Sequence, residues 1–361
     1  MLTSKLNYFR RLGRSSFPTL LTTVAALLCA SNALAADDSR VNTDPNYNPD
    51  ATLFKGAANN IWIDVLFKAT PAPGSDSVLT DNLRVDLRPD RDMTLNVEVY
   101  NPNGSIPFIV TPGGMGDIEG FGAFAKNLAA ASSDLKVIIM DRRNLGRSEV
   151  SFANAEPMAG EEAEDLHVLL QRLDIDSAIF YGMSSGSRSN MVLAERYPEQ
   201  VDALIIAPLT GGPIAAQRLS EEYFLSYLRD DSLTSMEAVA QTPLWKGYME
   251  RNSPELQKIF MEQNIDDFLA TMKMTGEFLA SFHAKTTLGM TDEQLMSLEV
   301  PATLILHHGQ EIDFLHPKVN ARAATTLLQN STFKIAPNLQ SIVDEILPFV
   351  NEYSSAVKGA Q

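Results

Sequence analysis

Residues 178–197 read AIFYGMSSGSRSNMVLAERY, and this stretch decides the fold. The first four residues form a short, wholly apolar run, which is typical of a strand buried on both faces of a parallel sheet. Residues 187–197 have the apolar spacing of an amphipathic helix. Between the two lies a Gly-x-Ser-x-Gly pattern, in which Gly182 and Gly186 permit a sharp turn around Ser184. The stretch therefore predicts a serine whose hydroxyl is raised clear of a sheet edge.

Short apolar runs of the same kind recur along the chain. They lie at residues 107–110, 135–140, 178–181, 203–207 and 302–306. Helical segments separate these runs, and repeated alternation of strand and helix predicts an α/β fold with a doubly wound, mostly parallel sheet. Residues 95–100 instead alternate apolar and polar side chains before the turn Asn101-Pro102-Asn103-Gly104. That alternation is typical of an antiparallel strand at the edge of a sheet.

Residues 213–296 interrupt this alternation. They have helical periodicity and no strand-like run, which predicts a helical cap inserted into a core formed by residues 59–212 and 297–361. The cap holds seven of the 14 methionines, five of the 17 phenylalanines and Trp245. These side chains are expected to fill the cap's own core, which is the commoner arrangement, or to line an adaptable apolar roof over a pocket.

Residues 1–35 predict an export signal. Four basic residues precede an apolar run at 20–30 that ends at Ala33-Leu34-Ala35, and this order is typical of a secretory signal peptide. The run is too short for a membrane-spanning helix, so we expect an exported protein, periplasmic or secreted, without a membrane anchor. Cys29, the only cysteine, lies inside the apolar run, which disfavours its lipidation. Residues 36–58 are rich in Asp, Asn and Pro and are interpreted as a flexible arm that leads to a first strand around residues 61–67.

The charge and spacing of the polar residues exclude several classes of partner. Removal of residues 1–35 would leave 25 Lys and Arg against 45 Asp and Glu, a net charge near −20, which disfavours nucleic acid and anionic membranes. No histidine spacing typical of a metal site occurs, and Gly113-Gly114-Met115-Gly116 lacks the features of a nucleotide-binding loop. We therefore expect no metal and no cofactor, and the sequence leaves the oligomeric state open.

Further motifs give the chain a resemblance to the α/β-hydrolase superfamily over about residues 95–350. Residues 108–114, FIVTPGG, are similar to the superfamily's strand and oxyanion turn. Residues 141–148, DRRNLGRS, are similar to its Asp-x-Arg-Gly-x-Gly-x-Ser turn, with Asn144 in place of Gly. Tyr197-Pro198 matches the usual exit of the helix that follows the nucleophile. We interpret the charged side chains of residues 141–148 as structural.

The resemblance implies roles for three residues around the turn. Ser184 would be the nucleophile at the nucleophile elbow. The backbone N–H groups of Gly114 and of Ser185, the residue after the nucleophile, would form the oxyanion hole that stabilises a tetrahedral intermediate.

The resemblance also places the acid of a catalytic triad after the strand that ends at His308-Gly309, in a Gly-x-x-Asp-x-x-x-Pro pattern. Counting back from Pro317 gives Asp313, whereas counting forward from Gly309 falls one residue short, so the loop is one residue longer than usual. Asp313 is the favoured acid, and Glu311 remains a competitor. Asp313 could also serve only to cap the helix that begins near Pro317.

The histidine base is missing from its usual place. In the superfamily it follows the last strand, but residues 332–341 contain no histidine and none follows His316. His316 lies in the acid loop, at the edge of the sheet where such folds bind ligands. It resembles the His-Pro pair found in this loop in a branch of the superfamily with a similar cap. His316 is therefore the favoured base, and the alternative is that no base serves the serine.

The other histidines are weaker candidates. His167 lies in the helix before the elbow strand and is expected to be a surface or packing residue. His283 lies in the cap, where we expect polar surface unless it reaches down to Ser184. His307 and His308 end a strand, so their side chains are expected to point to opposite faces, with one of them lining the site.

These features predict a serine hydrolase that cleaves an ester, thioester, lactone or amide with a mostly apolar acyl portion. A serine hydroxyl is a poor nucleophile without a base. Because no histidine follows the last strand, two alternatives to a serine hydrolase stay open. One is an exported binding protein, or a degenerate hydrolase, that keeps the pocket without acyl transfer. The other is a non-hydrolytic activity on the same scaffold, such as that of a lyase or a haloperoxidase.

Overall fold

The computed structural model describes residues 69–310 and 313–360, with side chains up to residue 353. The predicted signal peptide at 1–35, the arm at 36–58, a strand expected near 61–67 and the competing acid Glu311 lie outside these described residues. None of the helices in the described part of the chain is both long enough and apolar enough to cross a membrane.

One eight-stranded sheet forms the centre of the described fold, in the order β1-β2-β4-β3-β5-β6-β7-β8. Its strands are β1 (Thr80–Asp86), β2 (Thr94–Tyr100), β3 (Ile106–Thr111), β4 (Leu135–Met140), β5 (Ala178–Gly182), β6 (Val201–Ile206), β7 (Thr303–His307) and β8 (Ser331–Ile335). The pairs β1·β2 and β2·β4 are antiparallel, and every other pair is parallel. The sheet is therefore mostly parallel with an antiparallel edge, as the sequence predicted.

Helices follow most of the strands. They are α1 (Ile118–Ala131), α2 (Met158–Arg172), α3 (Ser185–Arg196), α4 (Pro213–Tyr223), α5 (Met236–Val239), α6 (Pro243–Arg251), α7 (Pro254–Met261), α8 (Ile265–Ala280), α9 (Asp292–Ser297), α10 (Lys318–Leu327) and α11 (Leu339–Ala360). Short 3-10 helices occur at Ser75–Ser77, Pro198–Gln200 and Leu225–Arg229.

Apolar clusters cover both faces of the sheet. Along β3, Ile109 packs into one cluster with α2, α3 and α10, whereas Phe108 and Val110 pack into the other with α1 and α11. All three side chains are fully buried. A strand that is buried on both faces has no polar alternation, which explains why these strands read as continuous apolar runs.

Residues 213–296, predicted as a cap, contain helices α4–α9 and no strand. Trp245, Phe260 and Phe268 pack with Phe152, which comes from the loop after β4, in a cluster of edge-on and tilted rings. Most of the cap's aromatic residues therefore fill a core of its own. The last helix, α9, instead packs through Leu295 into the apolar cluster that α2, α3 and α10 form on one face of the sheet.

Strand β1 was not expected from the sequence. Its residues, TDNLRVD, are mostly polar and half-buried or exposed. They pair along their whole length with β2, from Thr80 opposite Tyr100 to Asp86 opposite Thr94. An edge strand with one solvated face needs few apolar side chains, so its sequence signal is weak.

Candidate active site

The predicted elbow forms a tight turn between β5 and α3. Ser184 has φ +50° and ψ −111°, a backbone conformation that residues with side chains rarely adopt and that often marks functional sites. A β-carbon at Gly182 would lie 2.5 Å from the Cα atom of Ser187, and one at Gly186 would collide with the carbonyl oxygen of Thr111. Both glycines are therefore required by close backbone approach, which explains the Gly-x-Ser-x-Gly pattern.

Three side chains meet at the carboxyl edge of the parallel strands. Ser184 follows β5, and Asp313 and His316 follow β7. The Nε2 atom of His316 lies 3.0 Å from the Oγ atom of Ser184. The Nδ1 atom of His316 lies 3.0 Å from Oδ2 of Asp313. The distances are those of direct hydrogen bonds, so the fold brings these three predicted residues into one linear array.

The hydrogen bonds of Asp313 determine its charge. Oδ2 faces His308 as well as His316, each at 3.0 Å, and Oδ1 accepts the backbone N–H groups of Leu315 and His316. Burial by itself would raise the pKa of Asp313, but the electrostatic interaction with the His316 ring and these hydrogen bonds hold it well below its usual value. The carboxylate is therefore ionised and can only accept.

That charge in turn determines the proton positions on His316. Since Asp313 accepts, Nδ1 of His316 must carry a proton, and in the neutral imidazole Nε2 is then unprotonated. The unprotonated nitrogen is the one that faces the hydroxyl of Ser184. The arrangement has the geometry required of a general base beside a nucleophile.

His307 and His308 do not point to opposite faces, contrary to the expectation from strand alternation. Their rings lie 4.2 Å apart, because β7 ends at His307 and the chain turns there. His307 accepts the N–H of Gly309 on Nδ1, so its Nε2–H donates to the carbonyl oxygen of His316 at 2.9 Å. His308 accepts the N–H of Gln310 on Nδ1, so its Nε2–H donates to Asp313. Both histidine side chains therefore fix the conformation of the acid loop by hydrogen bonds to it.

The stability of the protein is expected to depend on pH through His307. Burial lowers the pKa of His307 from 6.5 to about 4. Between these values the unfolded chain binds a proton there and the folded chain does not, so the free energy of unfolding falls as the pH drops below 6.5. The full shift corresponds to at most roughly 3 kcal/mol.

Urea unfolding at pH 7 and pH 4 measures this effect. The wild type is expected to lose more unfolding free energy between the two pH values than the His307→Gln variant, which is neutral at both. An equal loss in the two proteins would contradict the assignment of this acid sensitivity to His307.

The remaining histidines lie outside the array. His167 stacks on Tyr197, with ring centroids 3.8 Å apart, and its nitrogens contact Gln200 and Gln171 at 2.9 Å. His283 is exposed on the cap, where Nδ1 contacts the carbonyl oxygen of Ala280 at 3.3 Å. Neither residue contacts Ser184.

The predicted oxyanion residues flank the serine. Gly114 follows β3 and is exposed with φ +54°, and Ser185 is the first residue of α3. Within the described residues, nothing accepts a hydrogen bond from the N–H of either one. The side chain of Arg142 donates to the carbonyl oxygen of Gly114 and pairs with Glu162 at 2.8 Å. Arg142 thereby ties the turn after β3 to helix α2.

The other charges of residues 141–148 form structural contacts. The carboxylate of Asp141 accepts the N–H groups of Ile118 and Arg147, at 2.6 and 2.8 Å. Arg143 is 1% exposed and pairs with Asp165 at 2.6 Å. These charges hold the loop after β4 against α1 and α2, in agreement with the structural interpretation of the motif.

One contact of the array was not predicted from the sequence, and a second was predicted only in the general form that His307 or His308 lines the site. Thr210 is buried after β6, and its Oγ1 atom lies 3.0 Å from Oγ of Ser184. If Ser184 donates to His316, Thr210 must donate to Ser184, which orients the lone pairs of the serine oxygen. The second is the bond from His308 to Asp313. The only sequence signal for either was the position of Thr210 and His308 just after a parallel strand.

Within residues 69–310 and 313–353, no three His, Cys, Asp or Glu side chains converge so as to hold a metal ion. The expectation that no metal takes part stays a prediction.

Comparison with known proteins agrees with this geometry. The family described as alpha/beta hydrolase fold matches residues 106–247, which include the elbow and the oxyanion turn. The chain is thus similar to the α/β-hydrolase family over 142 of its 361 residues. Its mostly parallel sheet with flanking helices is that of the α/β-hydrolase fold.

Individual relatives are distant. The uncharacterized hydrolase YraK of Bacillus subtilis is 33% identical over 107 residues, which are 29% of this chain and 38% of that protein. The sn-1-specific diacylglycerol lipase ABHD11 of Mus musculus is 26% identical over 165 residues, or 45% of this chain and 48% of the relative. The chain thus spans less than half the length of these two curated relatives.

A solved structure covers more of the chain. The 2-hydroxy-6-oxo-6-phenylhexa-2,4-dienoate hydrolase from Rhodococcus sp. strain RHA1 superposes with a TM-score of 0.50 at 18% identity, over 77% of this chain and 99% of that one. This similarity concerns the fold.

Proposed function

We propose that this protein of the α/β-hydrolase fold is an exported serine hydrolase that cleaves an ester, thioester, lactone or amide with a mostly apolar acyl portion. The observation that carries the proposal is the array of Ser184, His316 and Asp313, joined by two contacts of 3.0 Å. The names of the relatives, which include a hydrolase and a lipase, agree with it.

In the first half of the proposed reaction, Oγ of Ser184 attacks the acyl carbon while Nε2 of His316 takes the hydroxyl proton. Asp313 stabilises the imidazolium that results. The negative charge on the carbonyl oxygen is stabilised by the N–H groups of Gly114 and Ser185. Collapse of the tetrahedral intermediate breaks the bond to the leaving group, which takes the proton from His316 and leaves an acyl-enzyme on Ser184.

Water completes the cycle. His316 takes a proton from a water molecule as its oxygen attacks the acyl carbon, and the second tetrahedral intermediate collapses to release the acid and return the proton to Ser184. Each step uses groups of the chain and water, so the proposal needs no metal and no cofactor. It also needs no nucleic-acid or membrane partner, only a small apolar substrate.

A binding protein or a degenerate hydrolase is favoured by the missing histidine after the last strand. His316 lies at hydrogen-bond distance from Ser184, so the acid loop offers a base without that histidine. This geometry supports acyl transfer over a binding protein or a degenerate hydrolase. A non-hydrolytic activity such as that of a lyase does not depend on the missing histidine and stays an alternative.

Labelling with a fluorophosphonate probe tests the proposal. Such probes react with activated serines, so incubation of the purified protein is expected to give a stoichiometric adduct that peptide mapping locates on Ser184. An unlabelled protein over the range pH 6 to 9 would defeat the proposed chemistry and favour a binding protein.

The preference for an apolar acyl group predicts a dependence on chain length. Leu315, next to His316, packs with Leu279 and Phe282 of the cap, and the exposed side chains of Ile214 and Phe314 lie at the start of α4 and in the acid loop. An acyl chain that enters between these segments would bury methylenes, each worth up to about 0.8 kcal/mol, or roughly a factor of four in kcat/KM.

4-Nitrophenyl acetate, butyrate and hexanoate measure this preference. The values of kcat/KM are expected to rise along the series. Equal values for all three esters would contradict an apolar acyl site.

A further inference from the structure

Arg188 is a buried cation without a hydrogen-bond or salt-bridge partner in the described part of the chain. It lies on α3, one helical turn after Ser184, and is only 7% exposed. Its Nη1 atom is buried, and no described residue accepts a hydrogen bond from its guanidinium group or forms a salt bridge with it. Burial lowers its pKa to about 10, so the group is still charged at neutral pH.

The nearby arginines differ in this respect. Arg142 pairs with Glu162, and Arg143 pairs with Asp165. The negative charge of Glu162 acts on Arg188, but the two carboxylate oxygens of Glu162 are bonded to Arg142 and Ser189. A buried charge with no hydrogen-bond partner is costly. Arg188 therefore lacks the compensation that the fold gives to its neighbours.

Arg188 lies near the nucleophile along helix α3. Side chains on a helix lean toward its N-terminus, and the N-terminus of α3 is the turn of Ser184. The Cγ and Cδ atoms lie against the backbone at Gly289, where a β-carbon would collide with them. The preceding residue, Leu288, donates its N–H to the carbonyl oxygen of Thr210 at 3.0 Å. Thr210 in turn contacts Ser184, so one short chain of contacts connects Arg188 with the serine.

We propose that Arg188 binds a carboxylate group of the substrate, so that the hydrolase acts on acyl compounds that carry an anionic group near the scissile bond. This inference rests on the proposed function, whose substrate class it narrows. A single guanidinium matches the single charge of a carboxylate and can bind it through two parallel hydrogen bonds. A doubly charged phosphate would leave one charge uncompensated beside Glu162. The chain is otherwise strongly acidic, so selectivity for an anion would depend on this one residue.

Paired esters test the proposal. The 4-nitrophenyl monoester of adipic acid carries a free carboxylate, and its methyl-capped analogue is neutral and nearly isosteric. In the wild type, kcat/KM is expected to be larger for the anionic ester. In Arg188→Met the ratio of the two values is expected to fall by about 30-fold, equivalent to about 2 kcal/mol, and Arg188→Lys is expected to restore part of it. The pair 4-carboxyphenyl hexanoate and its methyl ester tests a carboxylate on the leaving group.

The matched control is Arg229→Met, which removes an exposed arginine that pairs with Glu221 on the cap. The ratio is expected to be the same in this variant as in the wild type. Because Arg188 lacks a partner, its replacement by methionine is expected to leave Tm unchanged or to raise it. A fall in Tm of several degrees, or an unchanged ratio for both ester pairs, would overturn the proposal and indicate a structural role.

A binding experiment separates this inference from the proposed chemistry. In the Ser184→Ala protein, which cannot form an acyl-enzyme, monomethyl adipate is expected to raise Tm and the neutral dimethyl adipate is not. The Tm increase is expected to be absent from the Ser184→Ala, Arg188→Met double variant. If no ester is hydrolysed but this increase is seen, the carboxylate site stands and the proposed hydrolysis fails. An increase that persists in the double variant would refute the site.

Discussion

Replacing Ser184 with alanine is expected to abolish fluorophosphonate labelling and to lower kcat for ester hydrolysis by roughly 10⁴ to 10⁶. The variant lacks the oxygen that would form the covalent bond, whereas His316, Asp313 and the oxyanion donors keep their positions. What remains is the rate that binding and the oxyanion hole can supply without a nucleophile. Active-site mapping and a steady-state ester assay measure the two effects.

The fold of the variant should be preserved. Ser184 is half-buried, and among the described residues its hydroxyl is hydrogen-bonded only to His316 and Thr210. The unfolding free energy is therefore expected to change by less than about 1 kcal/mol. Ser281→Ala, which removes an exposed serine at the end of α8, is the matched control and should retain full labelling. A folded Ser184→Ala protein with wild-type activity would rule out the proposed nucleophile.

The parts of the fold that sequence could predict are those encoded by local patterns. Strands β3 to β7 are buried in the middle of the sheet, so their apolar runs are visible without knowledge of their neighbours. The elbow was visible because Gly182 and Gly186 are each required by a backbone atom that comes too close for a side chain. Strand β1 was missed because its order comes from pairing with β2, which its own mostly polar residues do not reveal.

The candidate site also contains some residues that local sequence patterns could identify and others that they could not. Asp313 and His316 could be selected because they occupy one short loop at the correct edge of the sheet. The contacts made by Thr210 and His308 join segments that are distant in sequence or depend on how a strand ends. Strand periodicity assigned His307 and His308 to opposite faces, yet their rings lie side by side. Periodicity holds only while the strand continues, and here it ends at His307.

The second large effect on activity is expected when His316, the proposed base, is replaced. His316→Ala should lower kcat by roughly 10³ to 10⁶ with little change in KM, because the hydroxyl of Ser184 would lose the group that takes its proton. His167→Ala should keep wild-type kinetics, since that ring stacks on Tyr197 and contacts two glutamines outside the array. Steady-state kinetics of the three proteins on one 4-nitrophenyl ester give the comparison.

Loss of activity through unfolding must be separated from loss of the base. His316 is 4% exposed, and truncation to alanine leaves a cavity that can destabilise the loop. His316→Gln fills most of that space and can still contact Ser184 and Asp313, but an amide cannot accept a proton at neutral pH. It should therefore be as inactive as His316→Ala while its Tm stays closer to that of the wild type.

A folded and active His316→Gln protein would show that another group takes the proton. His308 would then be the first candidate, because its ring also contacts Asp313 at 3.0 Å.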